Sequence, residues 1–278
     1  MSNSTARKTV SIILCFMLAL AAISAALAVV IRFGITDEGT VRKALNESSY
    51  KARAYDALCS KITAEVTDVD MPESVADGVV DEKDFNKDIS RAIDAAMKGR
   101  TVSCDGTAAA GALGKNIDAY FKKNKLGSSS ALTAVKEQMT RDAGIYYQDQ
   151  AAFDFGIYFK DLSRSTDRMS LIMLWGGIAA ALLAAVLLLV ITGAGARFMR
   201  EISLSFLAAA LASGGIAAAM MFTDVMGSTT GAPEYYRVFH DTFVRESAMP
   251  LILAAMTYLV VFIGLLAAAQ KTDGGRDR

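Results

Sequence analysis

Residues 171–191 read LIMLWGGIAAALLAAVLLLVI, without an acid, a base or a histidine. A helix of about 20 mostly apolar residues crosses the ~30 Å hydrocarbon core of a bilayer, so the stretch reads as a transmembrane span. Three further runs have the same character: Val10–Ile31, Ile202–Phe222 and Pro250–Ala269. None contains Asp, Glu, Lys, Arg or His. One such run could be a helix in the core of a large soluble protein. Four in a chain of 278 residues point to membrane spans.

The charges are segregated between these runs. Residues 32–168 hold 20 of the 29 Lys and Arg and 22 of the 29 Asp and Glu, so the segment is close to neutral and offers no basic field for nucleic acid. It is long enough for one domain with its own core. Short basic flanks set the orientation. Arg7 and Lys8 precede the first span, Arg197 and Arg200 lie between the second and third, and Lys271, Arg276 and Arg278 follow the fourth. With four spans these flanks share one side, which the positive-inside rule makes cytoplasmic.

The expected fold class is therefore an all-α membrane protein, with four transmembrane helices and an all-helical extracytoplasmic domain, in the plasma membrane with both termini cytoplasmic. The expected order is a cytoplasmic N-terminus (1–9), transmembrane helix 1 (10–31), the extracytoplasmic domain (32–168) and transmembrane helix 2 (171–191). A cytoplasmic loop (192–201), transmembrane helix 3 (202–222), an extracytoplasmic loop with an amphipathic helix (223–249), transmembrane helix 4 (250–269) and a cytoplasmic tail (270–278) complete it. Ala26-Leu27-Ala28 resembles a signal cleavage site, but the first apolar run exceeds the 7–15 residues of a signal core, which favours an uncleaved anchor.

Within 32–168 the periodicity is helical. Gly34 to Gly39 breaks the first span from the outer domain. Val41, Leu45, Ser48, Ala52, Tyr55, Cys59, Ile62 and Val66 then recur at spacings of three and four, one stripe of a single long helix. Asp70-Met71-Pro72-Glu73 reads as a short helix start, ending near Asp77-Gly78. Asp81-Glu82-Lys83-Asp84 opens a helix to about Gly99, with Phe85, Ile89, Ile93 and Met97 on one face. Another runs over roughly 107–125, presenting Leu113, Ile117, Tyr120 and Phe121, and Gly127 and Ser128–Ser130 punctuate its end. From Ala131 the helical pattern continues past Tyr146, Tyr147, Phe153, Phe155, Tyr158 and Phe159 directly into the second span. Those aromatics read as core, and Trp175 as a residue of the membrane interface. In the second outer loop Tyr236, Phe239 and Phe243 mark a short amphipathic helix on the membrane surface or against the outer domain.

Chemistry leaves little trace. A single histidine, His240, leaves no two-histidine zinc pattern and reads as a surface residue of the amphipathic helix. There is no Gly-Lys-Ser/Thr phosphate loop and no GxGxxG after a strand, so no catalytic residue, cofactor or metal ligand is assigned. The acids Asp68, Asp70, Glu73, Asp77, Asp81, Glu82, Asp84 and Asp88 do not follow calcium-loop spacing, and helix capping accounts for them. Cys59 and Cys104 are the pair a disulfide would join, closing a loop of about 45 residues. Two separate buried thiols fit the same sequence. Mid-span ionisable groups, common in ion pathways, are absent. Gly177/Ala181, Ala180/Ala184 and Ala210/Gly214/Ala218 are small residues spaced by four, faces that let helices approach closely within the chain or between copies.

Asn46-Glu47-Ser48-Ser49-Tyr50, Met71-Pro72-Glu73-Ser74-Val75, Asp88-Ile89-Ser90-Arg91-Ala92-Ile93 and Ile117-Asp118-Ala119-Tyr120-Phe121 occur in that order. In this, residues 40–170 resemble a group of uncharacterised Gram-positive four-span membrane proteins with a large helical extracytoplasmic domain between the first and second spans. The resemblance implies topology and location only, and the glycine expected before Met71 is missing. The order of elements also resembles permeases of the MacB and FtsX type, but the segments that would contact an ATPase are very short here. Claudin-like proteins share the layout without their Trp and Cys signature.

The expected partners are the lipid bilayer and a protein partner, or self-association through the small-residue helix faces, and no nucleic acid. The expected role is a non-enzymatic scaffold or partner-binding protein acting through its outer domain. The alternative is a transport component, either a permease-like subunit or an oligomeric pore. A membrane enzyme would have to work through His240 or the Asp68–Asp88 acids.

Overall fold

The computed structural model describes residues 2–126, 129–153, 155–223 and 230–274, with the side chains of residues 2–4, 156–158 and 273–274 outside the description. Arg276, Arg278, Gly127, Ser128 and the side chain of Tyr158 therefore lie outside the described residues. Every regular element among the described residues is helical. In chain order they are α1 (Ser2–Val30), α2 (Glu38–Glu47), α3 (Tyr50–Thr67), α4 (Glu82–Met97), α5 (Thr107–Lys123), α6 (Ser130–Ala151), α7 (Phe155–Thr192), α8 (Ala196–Phe222) and α9 (Glu234–Gly274). A π turn over Ile31–Ile35 follows α1, and a 3₁₀ turn over Glu73–Val75 precedes α4. Four helical stretches are long and apolar enough to cross a membrane: Thr5–Ile35, Phe159–Thr192, Ala196–Phe222 and Glu234–Thr272. The chain divides into two compact units.

The apolar unit comprises Met1–Ala44, Ser163–Thr230 and His240–Arg278. Its helices expose the side chains that a water-soluble bundle would hide: Ile12, Trp175, Val190, Leu211 and Val260 are all more than 60% accessible. Two clusters fix its packing. Leu14 and Leu18 of α1 meet Ala184 and Leu188 of α7 and Ile202 of α8, with Phe206 and Leu265 alongside. At the opposite ends of the same helices, Ala26 and Val30 of α1 meet Ala217 and Met220 of α8 and Val244, Ala248 and Leu251 of α9. Tyr258 of α9 donates its hydroxyl to the Ala22 carbonyl of α1 at 2.8 Å, tying the two helices by a side-chain hydrogen bond.

Of the small-residue faces, the one at Gly177 packs within the chain. A Cβ there would lie 2.9 Å from the Ala21 carbonyl oxygen, so α7 comes to backbone contact with α1 only because residue 177 is glycine. On α8 the buried face is Ala209, Ala210, Ser213, Ala217 and Met220. Ala218, expected on that face, is exposed, because burial follows the α-helical advance of about 100° per residue rather than a strict four-residue repeat.

Three boundaries differ from expectation. The link between the second and third spans is only Gly193–Gly195, since Arg197, Arg200 and Glu201 already lie on α8. Residues 234–249 do not form a separate amphipathic helix but are the first turns of α9, which continues through Pro250. Pro250 brings no N–H to the Glu246 carbonyl, and helices absorb one such loss where the rest of the ladder is intact. α7 begins at Phe155, after an extended break at Ala152 that ends α6, so the helix entering the second span does not start at Ala131.

The charged unit comprises Leu45–Leu162 and Gly231–Phe239. The single long helix expected from Val41 to Val66 is two helices. Ser49 adopts the left-handed conformation (φ 52°), which ends α2 and resets the phase of α3. The buried stripe of α3 is therefore Tyr50, Ala54, Leu58, Ile62 and Val66, while Ala52 is exposed and Tyr55 and Cys59 lie at its margin. The Met71-Pro72 start yields one 3₁₀ turn rather than a helix. Asp70 is left-handed (φ 60°) and does not cap, and Pro72 takes the extended position before the turn. α4 follows its sequence signature closely. Asp81 Oδ1 accepts the Asp84 N–H at 2.9 Å, and Phe85, Ile89, Ile93 and Met97 are all buried.

α5 and α6 form an antiparallel hairpin whose buried faces are Ala109, Leu113 and Ile117 on one side and Met139, Ala143, Tyr147 and Ala151 on the other. A Cβ on Gly106 would fall 2.1 Å from the Gly144 carbonyl oxygen, so the start of α5 touches the α6 backbone directly. The first residues of α9 complete this unit through aromatic packing. Phe239 is fully buried, with ring centroids 5.6 Å from Tyr50, 6.0 Å from Phe153 and 5.2 Å from Phe155, all edge to face. Of the aromatics read as core, Tyr147, Phe153 and Phe159 are buried, whereas Tyr146 and Phe155 are half-buried.

Candidate functional site

Each unit contains concave surface, and the charged unit holds a groove of about 530 Å³ between the Pro72–Asp77 segment and α5. Its wall is fixed by one side chain. The Asn116 amide nitrogen donates to the Val75 carbonyl at 2.9 Å and to the Asp77 carbonyl at 3.0 Å, binding the 3₁₀ turn and the bend after it to α5. Both amide hydrogens are then engaged, which holds the loop rigidly against the helix. Tyr120, Lys123 and Asn124 stand along the other side, one helical turn further on. The groove offers an aromatic face, a cation and amide groups on a rigid backing, which suits binding an extended or helical segment of another protein.

A second concave region lies in the apolar unit between α1 and α8, about 570 Å³ in volume. Ser11 Oγ donates to Glu201 Oε2, and Arg197 Nε donates to Glu201 Oε1 at 2.9 Å. Cys15 Sγ lies 3.4 Å from the Glu201 carbonyl oxygen. Ser11 is 2% exposed, so a buried hydroxyl and a half-buried carboxylate satisfy one another at the end of two apolar helices. Sequence reading missed this cluster. Glu201 reads as the last residue of a loop and Ser11 as filler in an apolar run; a polar residue interrupting the first turn of such a run is the only available signal.

A third cavity of about 400 Å³ adjoins the end of α8 and the part of α9 that includes His240, Asp241 and Arg245. His240 is not a surface residue: its side chain is 14% exposed, with Nδ1 3.6 Å from Asp241 Oδ1. The continuity of α9 is the reason, because residue 240 shares a face with buried Val244 one turn on.

Cys59 and Cys104, the pair a disulfide would join, are both free thiols with different surroundings. Cys59 lies beside Tyr55 on the margin of α3, where the Tyr55 hydroxyl donates to the Val80 carbonyl at 3.3 Å, and Cys104 is buried with its Sγ 3.9 Å from the Ala151 carbonyl. Burial pushes both thiols up, opposed at Cys59 by the neighbouring Tyr55 hydroxyl and reinforced at Cys104 by the Asp88 carboxylate. The Tyr55 phenol is pushed up to about 12 by burial and by the neighbouring Cys59. The acids of the Asp68–Asp88 stretch are used locally. Asp81 caps α4, and Asp88 pairs with Arg91 at 3.2 Å and accepts from Tyr147. Among the described residues no three His, Cys, Asp or Glu side chains converge on a metal position. Asp105, just before α5, accepts the Thr107 N–H and hydroxyl, each at 2.9 Å, which holds its carboxyl below the usual carboxylate range.

No protein-family model, no curated protein and no solved structure matches the chain.

Proposed function

We propose that this is a cell-envelope protein of the plasma membrane whose charged helical unit stands outside the cytoplasm and binds a protein partner without catalysing a reaction. The groove between α5 and the Pro72–Asp77 segment carries this reading, because Asn116 locks its wall while Tyr120 and Lys123 line its open side. Aromatic and amide groups on a pre-set backbone lose little entropy on binding, which favours recognition over chemistry. The basic residues Arg7, Lys8, Arg197, Arg200 and Lys271 at one set of span ends support that sidedness. The resemblance of residues 40–170 to four-span Gram-positive proteins is consistent with the same topology.

Sidedness and binding are tested separately. With the three native cysteines replaced, Lys123→Cys is expected to react with a membrane-impermeant maleimide on intact cells, and Lys271→Cys only after permeabilisation. The reverse pattern would overturn the location. A photo-crosslinking residue at Tyr120 is expected to yield one discrete adduct that a residue at Arg42 does not. Identical adducts at both positions, or none at either, would remove the groove as the binding surface.

A further inference from the structure

We propose that the cleft between α1 and α8 is a site for an anionic phospholipid, with the phosphate on Lys8 and Arg197 and the glycerol and first acyl carbons on Ile12 and Leu204. These groups line the same cleft of about 570 Å³, within the 300–1,000 Å³ of ordinary ligand pockets. The site does not depend on what the charged unit binds.

The charge at the cleft selects an anion. Among the described residues Arg197 uses only Nε, on Glu201 Oε1, which leaves both terminal nitrogens of its fork for a phosphate. Lys8 is exposed and has no ion pair among the described residues. Glu201 is satisfied on both oxygens, by Ser11 and by Arg197, so it acts as a positioning residue that fixes the guanidinium rather than as a competitor for it. Two cations against one internally paired carboxylate leave a net positive mouth.

The walls select a lipid over a soluble phosphate. Ile12 is 69% exposed and Leu204 59% exposed, on helices long and apolar enough to cross a membrane. In a bilayer those side chains face acyl chains, and a cationic notch directly beside them meets a headgroup and its glycerol together. Basic pockets between membrane helices bind anionic headgroups by this combination. A choline headgroup would set its own cation near Lys8 and Arg197, so phosphatidylcholine should bind less well.

The test is native mass spectrometry of the full-length protein in a neutral detergent, with phosphatidylglycerol or phosphatidylcholine added. Phosphatidylglycerol is expected to bind on the order of tenfold more tightly. Lys8→Gln and the Lys8→Gln/Arg197→Gln double variant should lose that preference stepwise. Lys271→Gln, which removes a cation from the end of α9 but not from the cleft, should keep it. Equal loss in Lys271→Gln, or full preference in the double variant, would overturn the site. Displacement of the lipid by millimolar inorganic phosphate would also overturn it, by showing a soluble-anion site. Because the double variant leaves Glu201 without its cation, the wild-type protein is also labelled with photoactivatable phosphatidylglycerol. Adducts are expected on residues 8–15 and 197–204, and adducts confined to other segments would refute the assignment.

Discussion

Tyr147 of α6 donates its hydroxyl to Asp88 Oδ2 of α4 at 3.0 Å, while its ring lies edge-on to Phe85 at 5.6 Å. The side chain is 6% exposed, so one residue joins two helices by a charge-assisted hydrogen bond and an aromatic contact. Tyr147→Phe keeps the ring and removes the bond. It is expected to cost about 1.5–3 kcal/mol, measured as the loss of stability of the full-length protein in detergent.

Alkaline pH should weaken the charged unit. Burial and then the Asp88 carboxylate raise the Tyr147 phenol well above its ordinary value of 10.0, and burial with the neighbouring Cys59 pushes Tyr55 up to about 12. A raised folded pKa means that the unfolded chain releases its protons first. The contribution is therefore full below pH ~10 and is lost as pH rises through 10 to 12 and beyond. Thermal melts by circular dichroism from pH 8 to 11.5 should show a falling Tm above pH 10, with a shallower slope in Tyr147→Phe. A flat profile in the wild type would contradict the assignment.

The two thiols of the charged unit should remain separate and slow to react. Both are raised by burial, so their thiolate fraction at pH 7.5 lies below that of a free cysteine. Iodoacetamide labelling is expected to be slower for both than in denaturant, and slowest for Cys104, which is 6% exposed. Identical migration with and without reductant should accompany this. A Cys59–Cys104 crosslinked peptide from purified protein would show that the free-thiol arrangement is not the one populated.

Gly106→Ala tests the backbone contact between α5 and α6. The added carbon would fall 2.1 Å from the Gly144 carbonyl, and backbone atoms cannot move aside as a flexible side chain can. A cost of about 1–3 kcal/mol is expected, against a much smaller effect for Gly111→Ala, where the new carbon meets nothing within 4 Å. Similar losses at the two positions would point to helix propensity rather than contact.

Local patterns were legible wherever a physical signal sits within a few residues. Asp81 with Asp84, and Phe85 with Ile89, Ile93 and Met97, state a cap and a face in one 17-residue stretch, and α4 forms as read. The break at Ser49 was not legible, because its left-handed backbone is carried by a serine with no glycine or proline to announce it. Pro250 misled in the other direction. A proline reads as a boundary, yet α9 passes through it because the surrounding turns retain their hydrogen bonds. The clamp by Asn116 and the Ser11–Glu201–Arg197 cluster were invisible, since each depends on residues brought together from 41 and 190 positions apart.

That last separation sets an order of events in biosynthesis. Ser11 leaves the ribosome first, and Glu201 follows 190 residues later. At about 5–20 residues per second the hydroxyl waits roughly 10–40 s for its acceptor. During that interval the first span has neither Glu201 nor the Ala217–Met220 surface of α8 to pack against. By then α7 can already meet the first helix at the Gly177–Ala21 contact, but the remaining faces of α1 are covered only once α8 and then α9 have been made.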